Sequence, residues 1–308
     1  VNTESVKFFC GVSVFLWCCH TIISFFIKTP ISVSLIIIAL KNHTVNNIIS
    51  VLFTIIKSIC VQVCGIIMVY DLKGSFFMLY RYETHMHTFE ASGCGRTSGA
   101  DMADAHKAKG YDGIMVTDHF FNGNSAVPWD LPWEERIDLF CKGYENAKAR
   151  GDEIGLKVFF GWEFTYAGAD FLTYGLDKAW LKAHPEIMDM RIYDYCDFGR
   201  GQGGFGVHAH PFRQYDYIKK ITLIPDKVDA VEIINSSHFD EKMNDRAKWY
   251  AESYELPVTA GSDSHDGTRL LGGGIGVEKP IESLEDYFDA VRSRSIAKLY
   301  NKEFLNEK

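Results

Sequence analysis

Glu83-Thr84-His85-Met86-His87-Thr88 follows directly on an apolar run at 76–82, and this junction decides how the chain is read. On a strand, residues i and i+2 project from one face, so His85 and His87 aim at a common point. The same arrangement recurs down the chain. Residues 113–116 lead into Thr117-Asp118-His119, 156–160 into Gly161-Trp162-Glu163, and 205–207 into His208-Ala209-His210-Pro211. Residues 228–234 lead into Asn235, and 256–260 into Gly261-Ser262-Asp263-Ser264-His265. Five of these six candidate strands end in metal-competent side chains, more than chance placement supplies.

Between the strands lie helical patterns at 100–109, 133–150, 177–190, 240–255 and 281–293, with Gly110 and Gly151 expected to stop the first two. Short apolar strands alternating with helices predict βα units around a parallel sheet. In closed βα barrels the site is built at the C-terminal ends of the strands, where the polar clusters fall here. No repeat with a period of about 20–50 residues is visible, which excludes a solenoid.

Spacing refines the ligand set. His208 and His210 share a face, as do Asp263 and His265. Asp118 and His119 are adjacent and diverge, so His119 is read as the ligand and Asp118 as the carboxylate that orients it. Glu163 is placed to bridge two ions, since one carboxylate spans metals ~3.5–4 Å apart. Mixed imidazole and carboxylate donors suit Zn, Mn or Fe better than Mg or Ca.

These motifs, in this order, resemble the PHP family of polymerase and histidinol phosphatase metallohydrolases. The resemblance rests on His85-x-His87-Thr88, Thr117-Asp118-His119, Gly161-Trp162-Glu163, His210-Pro211 and Gly261-Ser262-Asp263-Ser264-His265, and spans roughly 78–294. It implies an α/β fold, a distorted seven-stranded (β/α)7 TIM-like barrel. It also implies a cleft with two or three divalent ions (Zn, Mn or Fe) that hydrolyses phosphoesters with a metal-activated water. Carried over by position, His85, His87, Glu163 and Asp263 would hold the first ion. Glu163 and His210 would hold the second, and His119 and His265 the third.

The chain departs from the family pattern twice. After the first motif it reads Thr88-Phe89-Glu90-Ala91-Ser92-Gly93-Cys94, making Glu90 the expected substitute for a missing third-metal ligand. Where a further second-metal histidine is expected, it reads Asp170-Phe171-Leu172-Thr173-Tyr174-Gly175-Leu176-Asp177. There Asp177 is either that ligand or the cap of the next helix. Arg213 and Arg269 are the candidate cations for phosphate oxygens, and with Glu163 and Asp263 they complete the candidate catalytic set. His208 is read as supporting a ligand, touching substrate or packing, His238 as touching substrate or a loop residue, and His106 and His184 as solvated and structural. The run Gly272-Gly273-Gly274-Ile275-Gly276 lacks the setting of a phosphate cradle and is read as a loop.

Two other functions fit less well. A hydrolase of the amidohydrolase type also opens on His-x-His but ends in a lone Asp, unlike Asp263-x-His265. A non-catalytic metal-binding domain would not need so complete a ligand set.

Composition separates the chain into two parts. Apolar residues are 47% and charged residues 23% of its 308 residues, which excludes a disordered or collagen-like chain. The net charge is −8, yet residues 1–77 hold five lysines and two acids, leaving −11 on 78–308. Such a surface favours a small phosphorylated substrate over a stable nucleic-acid partner. Apolar runs at 8–27 and 48–70 are long enough to cross a bilayer as helices. Segment 1–77 is accordingly read as a two-helix membrane anchor, a buried extension, or upstream sequence read through to an earlier start, with Met78 as the natural beginning. The domain expectation is therefore 1–77 as a hydrophobic extension and 78–308 as the hydrolase. The hydrolase is expected in the cytoplasm, or at a membrane through 8–70. Five of the eight cysteines lie before residue 78, and Cys94, Cys141 and Cys196 are spaced too widely for a disulfide framework.

Overall fold

The computed structural model of the protein describes residues 68–70 and 76–304. The readings of 1–67 lie outside the described residues. Among the described residues, no helix is long and apolar enough to cross a membrane.

The described residues begin with a short antiparallel pair, β1 (Met68–Tyr70) and β2 (Phe76–Met78). The last three residues of the second apolar run are thus extended, where a helix was expected. Then follow β3 (Tyr80–Met86), α1 (Gly99–Ala108), β4 (Gly113–Val116), α2 (Trp133–Phe140), α3 (Lys142–Ile154), β5 (Lys157–Tyr166) and β6 (Ala169–Tyr174). The second half runs α4 (Lys178–Ala183), α5 (Ile192–Gly201), β7 (Phe205–Ala209), β8 (Ala230–Asn235), α6 (Lys242–Ser253), β9 (Val258–Gly261), β10 (Gly274–Val277), α7 (Leu284–Arg292) and β11 (Lys298–Tyr300).

Nine strands form one sheet in the order β11-β10-β3-β4-β5-β6-β7-β8-β9, against an expectation of seven. Pairing is parallel from β3 to β5 and from β7 to β9. Strand β6 runs antiparallel to both neighbours and interrupts the simple βα repeat. Its hairpin with β5 turns on Ala167 and Gly168, both at positive φ, as two-residue turns between right-twisted strands require. Past β9, the His87 amide bonds Ser264 O at 2.8 Å and the Asp263 amide bonds His85 O at 2.9 Å. These bonds bring the last parallel strand back to the first, so the sheet nearly closes. The glycine run read as a loop supplies β10, which pairs antiparallel with both β3 and β11.

Two helix boundaries differ from expectation. Gly110 does follow α1 in the left-handed region. Gly151, however, lies inside α3, which ends at the left-handed Gly155, and the pattern at 133–150 is split at Cys141. Gly151 is there for packing: a Cβ on it would stand 2.5 Å from Val158 Cγ2 of β5. The pattern at 177–190 likewise breaks, because Pro185 opens a separate 3-10 turn, Pro185–Asp189.

Tyr82, Met115, Leu172, Tyr174, Phe205, Val207, Ala209, Ala230 and Ala260 pack in one cluster drawn from β3, β4, β6, β7, β8 and β9. Side chains from six strands meeting together form the floor beneath the polar strand ends. Outside, α1 and α3 cover the β3–β5 face through Met102, Ala103 and Ala147 against Met86, Ile114, Val116 and Val158.

One helix position touches the polar end directly. A Cβ on Gly143 of α3 would stand 1.9 Å from Thr88 Oγ1 and 3.0 Å from Asp118 Oδ2. Alanine is favoured over glycine in a helix by about 1 kcal/mol. The overlap outweighs that gain, and we expect Gly143→Ala to lower thermal stability by several degrees. A melting curve equal to or above wild type would contradict it.

Candidate metal centre

The polar ends of β3, β4, β5, β7 and β9 converge. His85 and His87 leave β3 on one side, with their Nε2 atoms 3.2 Å apart. Glu163, from the middle of the long β5, is fully buried between imidazoles from three strands. Its Oε1 lies 3.1 Å from His210 Nε2 and 3.5 Å from His85 Nε2, and its Oε2 lies 2.7 Å from His119 Nδ1 and 3.5 Å from His87 Nε2. Asp263 Oδ1 lies 3.1 Å from His87 Nε2, and Asp263 Oδ2 is 2.9 Å from Arg213 Nη1. His265 Nδ1 lies 2.8 Å from Asp263 O, and its ring stacks on His87 at 4.3 Å. A carbonyl only accepts, so His265 Nδ1 carries the hydrogen and its Nε2 keeps a lone pair.

These contacts charge the groups. Burial disfavours ionised Glu163, but the imidazoles of His119 and His85 outweigh it and hold the carboxyl well below its usual range. Burial likewise opposes ionisation of Asp263, and the Arg213 guanidinium with His85 reverses it. Burial and the neighbouring His265 and His119 push His87 well below its ordinary value.

Donors are here in excess of partners. Glu163 Oε2 and Asp263 Oδ1 are buried without a hydrogen-bond partner, and His119 Nδ1 facing Glu163 Oε2 is out of line for one. Buried carboxylate oxygens are costly unless a cation meets them. Three sets of donor atoms lie within 4.8 Å of one another: His85, His87 and Asp263; His85, Glu163 and His210; His87, His119 and His265. The residues fit divalent ions.

A second layer aims the first. Glu232 of β8 receives His85 Nδ1 at 2.9 Å and the His210 amide at 3.0 Å. Asp118 accepts from the Thr88 amide, Thr88 Oγ1 and Ser92 Oγ at 2.6 to 2.7 Å. Ser92 Oγ in turn lies 3.2 Å from His87 Nδ1. Asp118 therefore acts on His87 through Ser92, and its expected bond to the His119 ring is replaced by a bond from the His119 amide to Ser92 Oγ.

The PHP domain family model matches residues 83–298. The chain belongs to the PHP domain family. No curated protein matches it by sequence. Among solved structures, a two-domain protein from Bacteroides vulgatus containing a predicted PHP-like metal-dependent phosphoesterase is similar over 77% of this chain and 68% of its own, at 16% identity and TM-score 0.55. PsfC from Pseudomonas syringae is similar over 70% and 89%, at 16% identity and TM-score 0.48. An amidohydrolase from Chromobacterium violaceum with bound sulfate and no metal is similar over 72% and 98%, at 15% identity and TM-score 0.46. The first of these likenesses supports the PHP fold.

Seven of the nine ligand candidates come together in this PHP centre: His85, His87, His119, Glu163, His210, Asp263 and His265. Glu90 does not. Its carboxylate accepts from the Gly99 amide at 3.0 Å and from Asn146 Nδ2 at 2.8 Å, holding the start of α1 against α3. Asp177 does not either: it caps α4, accepting from the Trp180 amide at 2.7 Å. Arg213 sits on Asp263 within the centre, and Arg269 lines the same cavity of about 860 Å³. His208 points away from His210 and stacks on Phe171 at 4.7 Å. The shared-face rule fails because β7 ends at Ala209 and His210 takes a φ of 28°. His106, expected to be solvated, is fully buried with Nδ1 2.8 Å from Met102 O. His238 is buried against Asn244 Oδ1 at 2.8 Å.

Three residues at the centre were missed. Glu232 is a lone acid inside the apolar Ala230-Val231-Glu232-Ile233-Ile234, a signal that was present. Asp170 lines the cavity and is held by Thr165 Oγ1 at 2.6 Å. Cys94 lines it too, beside His119 and His265.

Proposed function

We propose that this PHP chain is a metal-dependent phosphoesterase that hydrolyses a small phosphomonoester or phosphodiester. The observation that carries this reading is the convergence of seven imidazole and carboxylate ligands at an open cavity that His119, Asp263, His265 and Arg213 line. His85, His87, Glu163 and Asp263 would hold one ion, Glu163 and His210 a second, and His119 and His265 a third. Bound there, two or three ions of Zn, Mn or Fe would lower the pKa of a water and neutralise phosphoryl oxygens. Arg213 offers a planar donor fork to the remaining phosphoryl oxygens and is steadied over the Tyr215 ring at 4.9 Å. Arg96 and Arg269 line the same cavity and supply positive charge for the anionic substrate. The surrounding −11 favours a small substrate over a nucleic-acid chain.

The full chain assayed on a panel of phosphomonoesters and phosphodiesters, with Mn²⁺ or Zn²⁺ and with a chelator, tests the reading. Turnover that the chelator abolishes supports it. Turnover confined to amides or lactones would assign the centre to C–N or C–O bond hydrolysis instead. Arg213→Ala is expected to lower kcat/KM on the best phosphoester by about 10²–10³-fold, the loss typical of one donor to developing charge. An unchanged kcat/KM would remove Arg213 from the machinery.

A further inference from the structure

Cys94 lies in the loop between β3 and α1, and backbone bonds tie that loop to the segments that carry His119 and His265. The Gly93 amide bonds Asn124 O at 2.7 Å, in the segment after His119, and the Arg96 amide bonds His265 O at 2.8 Å. Cys94, a free thiol, is thereby held in the cavity wall that His119 and His265 also line. On the far side of His119, Nδ1 faces the fully buried Glu163 Oε2 at 2.7 Å, and neither atom has a hydrogen-bond partner. His87, His119 and His265 bring ring nitrogens within 4.8 Å of one another. Glu90, the acid expected to serve this corner, is engaged at the start of α1.

We propose that Cys94 is a metal ligand, forming with His119 and His265 a thiolate-containing position that selects zinc or a similarly thiophilic ion over manganese. The assignment rests on the metal-centre reading above and adds a donor of a different kind. The other ion positions are built from imidazole and carboxylate, donors that suit Zn, Mn or Fe. A sulfur donor beside two imidazoles shifts preference toward softer ions. The remaining described cysteines are elsewhere: Cys141 is buried between α2 and α3, and Cys196 lies in α5.

The test titrates the full chain, freed of metal by chelation, with Co²⁺ and reads its absorption spectrum. Wild type is expected to develop both visible d–d bands and a near-ultraviolet thiolate-to-cobalt charge-transfer band. Cys94→Ser is expected to lose the charge-transfer band, keep most of the d–d absorption, and bind one ion fewer. Its zinc affinity at that position should fall by more than the ~10–100-fold typical of losing an outer-sphere partner. Cys94→Asp should regain the ion without the charge-transfer band and prefer Zn²⁺ over Mn²⁺ by a smaller margin than wild type. Cobalt bound by wild type without a charge-transfer band would overturn the assignment and leave the metal centre standing. So would a band that persists in Cys94→Ser, or loss of all ions from both variants. Failure of wild type to bind any cobalt would instead remove the metal-centre reading itself.

Discussion

Glu163→Gln is expected to abolish metal-dependent phosphoesterase activity, with kcat reduced by at least about 10³-fold, equivalent to about 4 kcal/mol of transition-state stabilisation. Glu163 is fully buried, and its two oxygens lie within 3.5 Å of His85, His87, His119 and His210. Asp263 comes as close as that to only one imidazole, His87 at 3.1 Å, and stands 3.7 to 3.8 Å from His85, His210 and His265. Glutamine preserves the volume but replaces one oxygen with an NH₂ group that can only donate. It also removes the negative charge that would offset two cations, and with it the ligand that two ions would share. A second readout separates loss of metal from loss of fold. Ligands that bind only the folded state stabilise it by mass action. Mn²⁺ should therefore raise the melting temperature of wild type and leave Glu163→Gln nearly unmoved. A variant that retains full activity, or shows the wild-type metal-induced shift, would contradict the bridging role.

The parts of the centre legible in the sequence are those a strand end displays. His85 and His87 obey the two-residue period of β3, and their Nε2 atoms do meet at 3.2 Å. Glu163 and His119 are readable because each follows an apolar run, although Glu163 sits inside β5 and only His119 lies past its strand, and a bridge between their backbones sets them side by side. The rule stops where the strand stops. His208 and His210 differ by two residues yet diverge, because a left-handed residue follows β7. Asp263, itself at φ 55°, enters the centre through a turn that no periodicity describes. Antiparallel β6 was missed because Ala169–Tyr174 continues a hairpin, whereas a repeating βα pattern calls for a helix there. Loop residues are worse still. Glu90 and Cys94 are four positions apart in a segment without period, and only the tertiary ties of that loop separate the helix-holding acid from the site-facing thiol. The hydrophobic extension falls outside the described residues, apart from the short pair β1 and β2.

Glu232→Gln is expected to weaken metal binding by about 10–100-fold and to cut kcat in proportion, with a far smaller effect on stability than Glu232→Ala. The carboxylate is buried and makes three bonds: to His85 Nδ1 at 2.9 Å, to the His210 amide at 3.0 Å and to Asn235 Nδ2 at 3.0 Å. Burial opposes its ionisation, but His85 outweighs it and lowers its pKa, so the group is an acceptor only. His85 Nδ1 must then carry a hydrogen, which leaves Nε2, facing Glu163 and Asp263, as the nitrogen open to an ion. Glutamine retains one acceptor oxygen for three donors. If that oxygen stays on His85, the NH₂ group opposes the His210 amide. If it turns to His210, the NH₂ group opposes His85 Nδ1, and the hydrogen is driven to Nε2, where it blocks a ligand position. Alanine leaves all three donors buried and unpaired, at about 1–3 kcal/mol for each, and should lower the melting temperature strongly. The pair of variants therefore separates positioning from packing. Titration with Zn²⁺ and thermal melts of the metal-free proteins give the two readouts. Equal metal affinity in wild type and Glu232→Gln would show that His85 is oriented by its strand alone, and would reduce Glu232 to a structural acceptor.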